Sequence, residues 1–373
     1  MDAINVVTRL LNEANIEING DNPWDIQVRD ERFYSRILAD GSLGLGEAYM
    51  EGWYDCKNLD QFIFNLLRGN LEEKYNAEVL VTTMAEKFKH LFNPQTINNC
   101  KKDISFHYDI GNNLFKHMLD PRMVYSCAYW KDAQDLNEAQ EAKLDLICRK
   151  LDLKPGMTLL DIGCGWGSFM KYAAEKYGVI CTGLTLSKEQ IKLGKENCKD
   201  LPIEFIYSDY REFESDPFDR VVSIGMFEHV GPLNYGVYMQ KAHKMLKEDG
   251  IFLLHTIGGL SDSEHGDKWI RKYIFPHGII PSIQQVGTAI AGTFYMEDWE
   301  DFGPDYDKTL MAWNENFQNS WKDIEKDYEG QKYFKKMWEY YLLACAGAFR
   351  ARDLGVWQIA LTKKRLVKPI CRV

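Results

Sequence analysis

The chain has 373 residues, 45% of them hydrophobic and 13% aromatic, with a formal net charge of −10. That length exceeds one ordinary domain and suits a catalytic domain with a smaller companion, each with apolar residues enough for a core. The acidic balance argues against nucleic-acid binding, which leaves a basic footprint, and against steering of the whole molecule to anionic lipid.

In chain order, the start MDAINVV lacks the basic and apolar regions of a signal peptide. Ile4, Val7, Leu10, Leu11 and Ala14 recur at helical spacing, and Asp21 to Pro23 breaks the pattern. A glycine-punctuated stretch, GSLGLGEAYMEGWYD, precedes an apolar helix over Leu59 to Leu67, and a second helical pattern covers Ala77 to Leu91. Residues 1–95 therefore read as a small helical N-terminal domain, with a polar linker over 93–102. From there to residue 373 the text alternates. TLLDIG, VICTGLTL, IEFIYSD, RVVSIG, GIFLLHTI and VWQIALTK are short β-rich runs. Helical patterns lie between them over Ser168 to Lys176, Ser187 to Cys198 and Tyr235 to Leu246. This predicts an α/β catalytic domain over 96–373, doubly wound on a mostly parallel sheet. Nine cysteines without a CxxC pair fit reduced thiols in a cytoplasmic protein. No apolar run approaches the roughly 20 residues of a spanning helix, so any lipid would be met at the membrane surface.

The strand TLLDIG runs into CGWGS and then a helix, setting Asp161, Gly163, Gly165 and Gly167 in a D-x-G-x-G-x-G pattern. Glycines at a strand's carboxyl end let backbone approach a ligand, with a helix N-terminus behind them. The spacing differs from the dinucleotide fingerprint and resembles motif I of the class I S-adenosylmethionine methyltransferases. The next strand offers Thr185 and Gln190 at the same rim, and the third ends in Ser208, Asp209 and Tyr210, a carboxylate and a ring suited to adenine. The second strand has no terminal acid for the ribose hydroxyls; either Gln190 substitutes or that contact is lost. Strands four and five end in SIGMFEHVG and LLHTIGG, which brings Glu228 and His255 to one rim. Tyr125, Ser126 and Cys127 lie upstream and Tyr306 downstream. His255, Glu228 and Cys127 are also metal-ligand types, but no ligand spacing supports a metal and none is expected. His229 reads as structural and His277 as a loop residue.

The run from His107 through YSCAYW, then LLDIGCGWGS, GLTLSKEQ, VVSIGMFEHVGPLNY and LLHTIG, resembles the cyclopropane fatty acid synthases and their mycolic acid relatives. It does so in order over nearly the whole chain. GLGEAYMEGWYD resembles the phospholipid-acting members, because the mycolic acid enzymes lack that domain. The resemblance implies methyl transfer from S-adenosylmethionine to a cis double bond of a phospholipid acyl chain, leaving a carbocation that loses a methyl proton to close a ring. It implies bicarbonate as base, held by Cys127, Glu228, His255, the backbone of Ile257 and Tyr306. It also implies a cofactor site of Tyr125, Ser126, Gly163, Thr185, Gln190, Tyr210 and Arg211. The charge on Glu228 would repel an anion, so local protonation is expected. A carbocation needs a dry pocket, and Tyr125, Tyr129, Tyr273 and Phe275 are candidate aromatic faces for it. Cys345 matches a cysteine that has been considered reactive; a buried cysteine packing as a small hydrophobe is the competing reading. DKWIRKYIFPHGIIPS and the basic tail Lys363 to Lys368 are candidate contacts with an anionic inner leaflet, and the family suggests a homodimer. The rival functions are a methyltransferase giving a methyl-branched lipid or acting on a soluble molecule, and a non-catalytic lipid-binding module.

Overall fold

The computed structural model describes residues 2–69, 95, 110–262 and 266–365. The expected helix over Ala77 to Leu91, most of the linker, and His107 and Tyr108 lie outside the described residues.

In chain order the first elements are α1 (Ala3–Glu13), β1 (Gln27–Val28), α2 (Arg32–Asp40), α3 (Ser42–Glu51), β2 (Tyr54–Asp55) and α4 (Leu59–Arg68). There follow α5 (Asn112–Met118), α6 (Leu136–Lys150), β3 (Thr158–Ile162), α7 (Ser168–Tyr177), β4 (Ile180–Thr185), α8 (Lys188–Asn197), β5 (Ile203–Tyr207) and β6 (Phe218–Ile224). The last are α9 (Tyr235–Met245), β7 (Leu246–Gly259), α10 (Lys268–Tyr273), α11 (Ile283–Ile290), β8 (Tyr295–Asp301), α12 (Pro304–Ile324), α13 (Phe334–Ala351) and β9 (Leu354–Thr362). Local chemistry sets several of the boundaries. The Asp135 and Ser187 side chains accept the N3 backbone N–H groups of α6 and α8, and Ser282 with Gln285 forms a full capping box on α11.

The chain divides into two compact units, and the first is not one stretch: residues 1–94 are joined by 265–276 and 310–354. In that unit α13 packs along α4. Gly347 is needed there, because a Cβ would collide with the Asp60 carbonyl and lie 2.9 Å from Ile63 Cβ. Arg350 pairs with Asp60 at 2.6 Å. The stretch 41–55 forms α3 and the short strand β2, which pairs antiparallel with β1.

The second unit, residues 95–264, 277–309 and 355–373, carries a seven-stranded sheet of order β5-β4-β3-β6-β7-β9-β8. The pairs β5/β4, β4/β3, β3/β6 and β6/β7 are parallel and β8/β9 is antiparallel. This is the doubly wound, mostly parallel fold expected from the alternation, extended by β8. Side chains alternate between two cores. Leu160, Ile162, Val221, Phe252 and Leu254 face α9 and α11, whereas Leu159, Val222, Ile251 and Leu253 face α6 and α7. Asp161 and His255 continue the second set, which turns both toward the α6 layer.

Candidate functional site

The chain winds outward from β3 through β4 to β5 and returns to β6 on the other side of β3. The order reverses there, which opens a crevice at the carboxyl ends of β3 and β6. The glycine turn lies on this rim. The N–H groups of Gly163 and Cys164 both donate to the Leu184 carbonyl at 3.0 Å, and Gly167, left-handed at φ +83°, leads into α7. Gly163 has φ +89°, and a Cβ would sit 2.7 Å from Met226 Cγ. Gly163→Ala is therefore expected to cost about 1–3 kcal/mol of stability from backbone strain and to weaken cofactor binding. Thermal melting with and without S-adenosylmethionine checks both. The Thr185 hydroxyl donates to Gln190 Oε1 at 2.5 Å, and Gly165 lies beside the Gln190 amide. The motif and the next strand's end thus form one surface. A cavity of about 290 Å³ is lined by Lys116, Asp120, Arg122, Trp166, Gly167 and Asn197 among others, and of the sequence candidates it touches Gly167 alone.

Above this rim runs a strap containing Tyr125, Ser126 and Cys127. The Asp120 carboxylate accepts the N–H groups of Arg122 and Val124 at 2.9 and 2.8 Å. Gln140 donates to the Ser126 carbonyl at 3.0 Å, and the Lys143 ammonium donates to the Ser126 hydroxyl at 2.9 Å. Thr309 accepts from the Ala128 N–H and the Trp130 indole at 3.1 and 2.9 Å. Gln140 and Lys143 are both fully buried, three residues apart on one face of α6. Sequence reading missed them, and the signal available was weak: two polar residues inside the apolar stripe of a helix. Ser126 lies near Gly225 at the end of β6, so the strap meets the crevice.

On the reaction side, Glu228 sits in a single 3₁₀ turn, Phe227–His229, just past β6. Its Oε1 accepts the Ile257 N–H at 2.7 Å, and its Oε2 is buried without a hydrogen-bond partner. Ile257 therefore fixes the Glu228 carboxyl through the N–H that the resemblance offers to the anion, because that donor is already engaged. Burial pushes the Glu228 carboxyl up to about 7, against the opposing pull of the Ile257 N–H. His255 is held well below its usual range by burial and by the charges of Lys143 and Lys150. Its Nδ1 faces the Gln358 amide at 3.3 Å. The imidazole is thus neutral, and with the Gln358 amide donating, the ring proton sits on Nε2. Phe302 stands against His255 and Tyr129, with ring centroids 5.7 and 5.8 Å apart, an apolar wall beside the imidazole. The Cys127 thiol donates to the Ala128 carbonyl at 3.2 Å, and burial holds it far above its ordinary range, so it is no nucleophile. Tyr306 is buried in the first turn of α12.

The raised Glu228 carboxyl carries a stability consequence. Protonated in the folded chain, it opposes folding only where it must ionise. The penalty is absent below about pH 4.5, grows through pH 7 and reaches on the order of 3 kcal/mol. Glu228→Gln is accordingly expected to be more stable than the native chain at pH 8, with the gap closing toward pH 5. Urea unfolding at the two pH values checks this.

Other candidates fall elsewhere. Asp209 spends both carboxylate oxygens on Arg211, at 2.7 and 2.8 Å, and Arg211 also donates to the Gln95 carbonyl at 3.0 Å. The Asp209 carboxylate is therefore held in an ion pair with Arg211. Tyr210 packs edge-on against Tyr238 in the core. Tyr125 stacks edge-on with Phe115. Cys345, Tyr273 and Phe275 belong to the first unit. Burial pushes the Cys345 thiol up to about 12, which favours the packing reading over a reactive thiol. The Tyr273 hydroxyl donates to Glu47 at 2.9 Å, Lys272 pairs with Glu47 at 2.5 Å, and Trp269 is 1% exposed. Trp269 is thus packed inside the first unit, whereas Lys268 and Lys272 of the same stretch are exposed. Of the basic tail, Lys363 and Lys364 pair with Glu248; residues 366–368 lie outside the described residues. Among the described residues no helix is long and apolar enough to cross a membrane.

Residues 95–359 match the family model of mycolic acid cyclopropane synthetase. The chain is 49% identical over 358 residues to the cyclopropane-fatty-acyl-phospholipid synthase of Escherichia coli K12, covering 96% of this chain and 93% of that protein. It is 40% identical to cyclopropane mycolic acid synthase 1 of Mycobacterium tuberculosis, over 70% of this chain and 96% of that protein. A crystal structure of a mycolic acid cyclopropane synthase complexed with SAH and CTAB superposes with a TM-score of 0.66 at 37% identity, covering 70% of this chain and 98% of that one. The Escherichia coli enzyme thus shares nearly the full length, whereas the mycobacterial enzyme is used up with almost a third of this chain unmatched. On the glycine turn, the sheet order and these matches together, the chain belongs to the cyclopropane synthase family of class I methyltransferases.

Proposed function

We propose that the chain transfers the methyl group of S-adenosylmethionine to a cis double bond in a phospholipid acyl chain and closes a cyclopropane ring. S-adenosylmethionine supplies an electrophilic methyl, whose bond to sulfur breaks as the alkene carbon bonds to it. The resulting cation must lose one methyl proton and must not meet water. The observation that carries the reading is a buried Glu228, its carboxyl held high by burial and its Oε2 without a hydrogen-bond partner, just past β6, with a neutral His255 on the neighbouring strand. A protonated carboxyl and a neutral imidazole suit a small oxyanion better than an ionised carboxylate would. The residues therefore fit bicarbonate, which supplies a base for the methyl proton when bound. Cys127, Glu228, His255 and Tyr306 would hold it, with Ile257 acting through Glu228. On the donor side Tyr125, Ser126, Asp161, Gly163, Gly165, Gly167, Thr185 and Gln190 form the cofactor surface, with Asp209, Tyr210 and Arg211 at its edge.

Membrane docking on the inner leaflet, a cytoplasmic location, and a homodimer using the N-terminal domain complete the proposal. The similarity over the whole length to a phospholipid-acting synthase supports them. The test is incubation of the purified chain with S-adenosylmethionine and vesicles of cis-unsaturated phosphatidylglycerol. A ring-containing acyl chain is the expected product; methylated headgroup alone, or no lipid product, overturns the reading.

A further inference from the structure

The middle of β9 is apolar except at one position. Val356, Trp357, Ile359, Ala360 and Leu361 are buried hydrophobic residues, and Gln358 lies among them, fully buried. Trp357, Ile359 and Leu361 pack in the core against α9 and α11, so the alternation turns Gln358 toward the α6 layer, the side to which His255 also turns. β9 is the neighbour of β7 in the sheet, and Gln358 Nε2 faces His255 Nδ1 at 3.3 Å. Among the described residues this is the one hydrogen-bond partner of the imidazole. The other end of the amide, Oε1, is buried with no hydrogen-bond partner. An amide is costly in such a place, because one of its polar groups is desolvated without compensation. An apolar side chain of similar volume would fill the space without that cost. The residue type therefore serves the imidazole rather than the core.

We propose that Gln358 is a positioning residue of the reaction site, fixing the orientation and the tautomer of His255 so that the ring presents Nε2–H as a hydrogen-bond donor. The amide N–H can only donate, so Nδ1 accepts and carries no proton. The proton left on Nε2 makes the neutral imidazole a donor, as an anion beside it requires. The other tautomer would turn a lone pair toward that anion. Held at Nδ1, the ring also cannot turn over, a motion that would exchange Nε2 for a carbon. Phe302, edge-on to the imidazole, has no polar group to do this in place of Gln358.

This role rests on the ring-closing reading of the site, and two readouts separate them. Gln358→Met removes the amide at nearly constant volume. Its turnover on vesicles of cis-unsaturated phosphatidylglycerol is expected to fall about tenfold to a hundredfold, the scale of a misplaced reacting group. Its S-adenosylmethionine affinity is expected to stay within about twofold of native, and its urea midpoint to be unchanged or raised. In the full native chain carrying 15N-labelled histidine, the His255 signals are assigned by their loss in His255→Asn. At neutral pH they are expected to show a neutral ring protonated on Nε2, and in Gln358→Met a second population protonated on Nδ1. Unchanged turnover in Gln358→Met, or turnover lost together with stability, overturns the proposal, because packing alone would explain it. So does a native ring protonated on Nδ1. Should Gln358→Met not fold, the native spectrum decides. Absence of a ring-containing product from the native chain would instead overturn the function proposed above, with the tautomer still deciding the role of Gln358.

Discussion

Glu228→Ala is expected to lower turnover by about 10²–10⁴-fold, the range typical of a lost acid–base group, while S-adenosylmethionine affinity stays within a few-fold of native. The carboxyl lies past the end of β6, anchored by the Ile257 N–H at 2.7 Å and carrying a buried Oε2 without a hydrogen-bond partner. Glu228→Gln keeps the Ile257 bond and places an N–H donor where the carboxyl proton stood, so its rate is expected to fall between native and alanine. Single-turnover kinetics beside calorimetric titration separate the terms. Loss of cofactor affinity would move Glu228 to the donor side, and unchanged turnover would remove it from the chemistry.

Trp269→Ala is expected to cost about 3–5 kcal/mol, the range for emptying a buried large aromatic site. The indole is 1% exposed, its ring centroid lies 4.6 Å from that of Tyr340 and 5.3 Å from that of Tyr273, and it fills the space over Gly46, where even a Cβ would clash. Against a total stability of order 5–15 kcal/mol for a typical domain, the first unit would be left marginal. Urea unfolding with tryptophan fluorescence, and limited proteolysis of α3 and α10, are the measurements. A loss under about 1 kcal/mol would mean that the indole is not the core residue its burial indicates.

Much of the second unit was legible because strand and helix leave different periodicities. TLLDIG, VICTGLTL and RVVSIG fall on β3, β4 and β6, and buried parallel strands read as apolar runs. The rim positions of Glu228 and His255 followed from strand ends alone. β8 was not legible. Its sequence, YMEDWED, is acidic and forms the sheet edge, and a buried cation that answers it, Lys150 at 2.5 Å from Glu300, is 150 residues away in sequence. The stretch 41–55 read as glycine-broken, yet it holds α3. Gly44 lets α3 approach the Arg36 carbonyl of α2, and Gly46 admits Trp269, contacts that local propensity cannot report. The make-up of the first unit was hidden for the same reason: α10 and α13 return to it from more than 170 residues downstream. The pairing of Asp209 with Arg211 was hidden because it depends on side-chain direction. Lys143 was missed because a lysine in a helix is ordinarily solvated, and only its depth marks it out.

The central claim is that the transferred methyl loses a proton inside a dry site lined by Glu228 and His255. Its most direct measurement uses S-adenosylmethionine trideuterated in the methyl group with vesicles of cis-unsaturated phospholipid. A ring carbon bearing two deuteriums, with the third released to water, is the expected result. A lipid that retains all three deuteriums would contradict it.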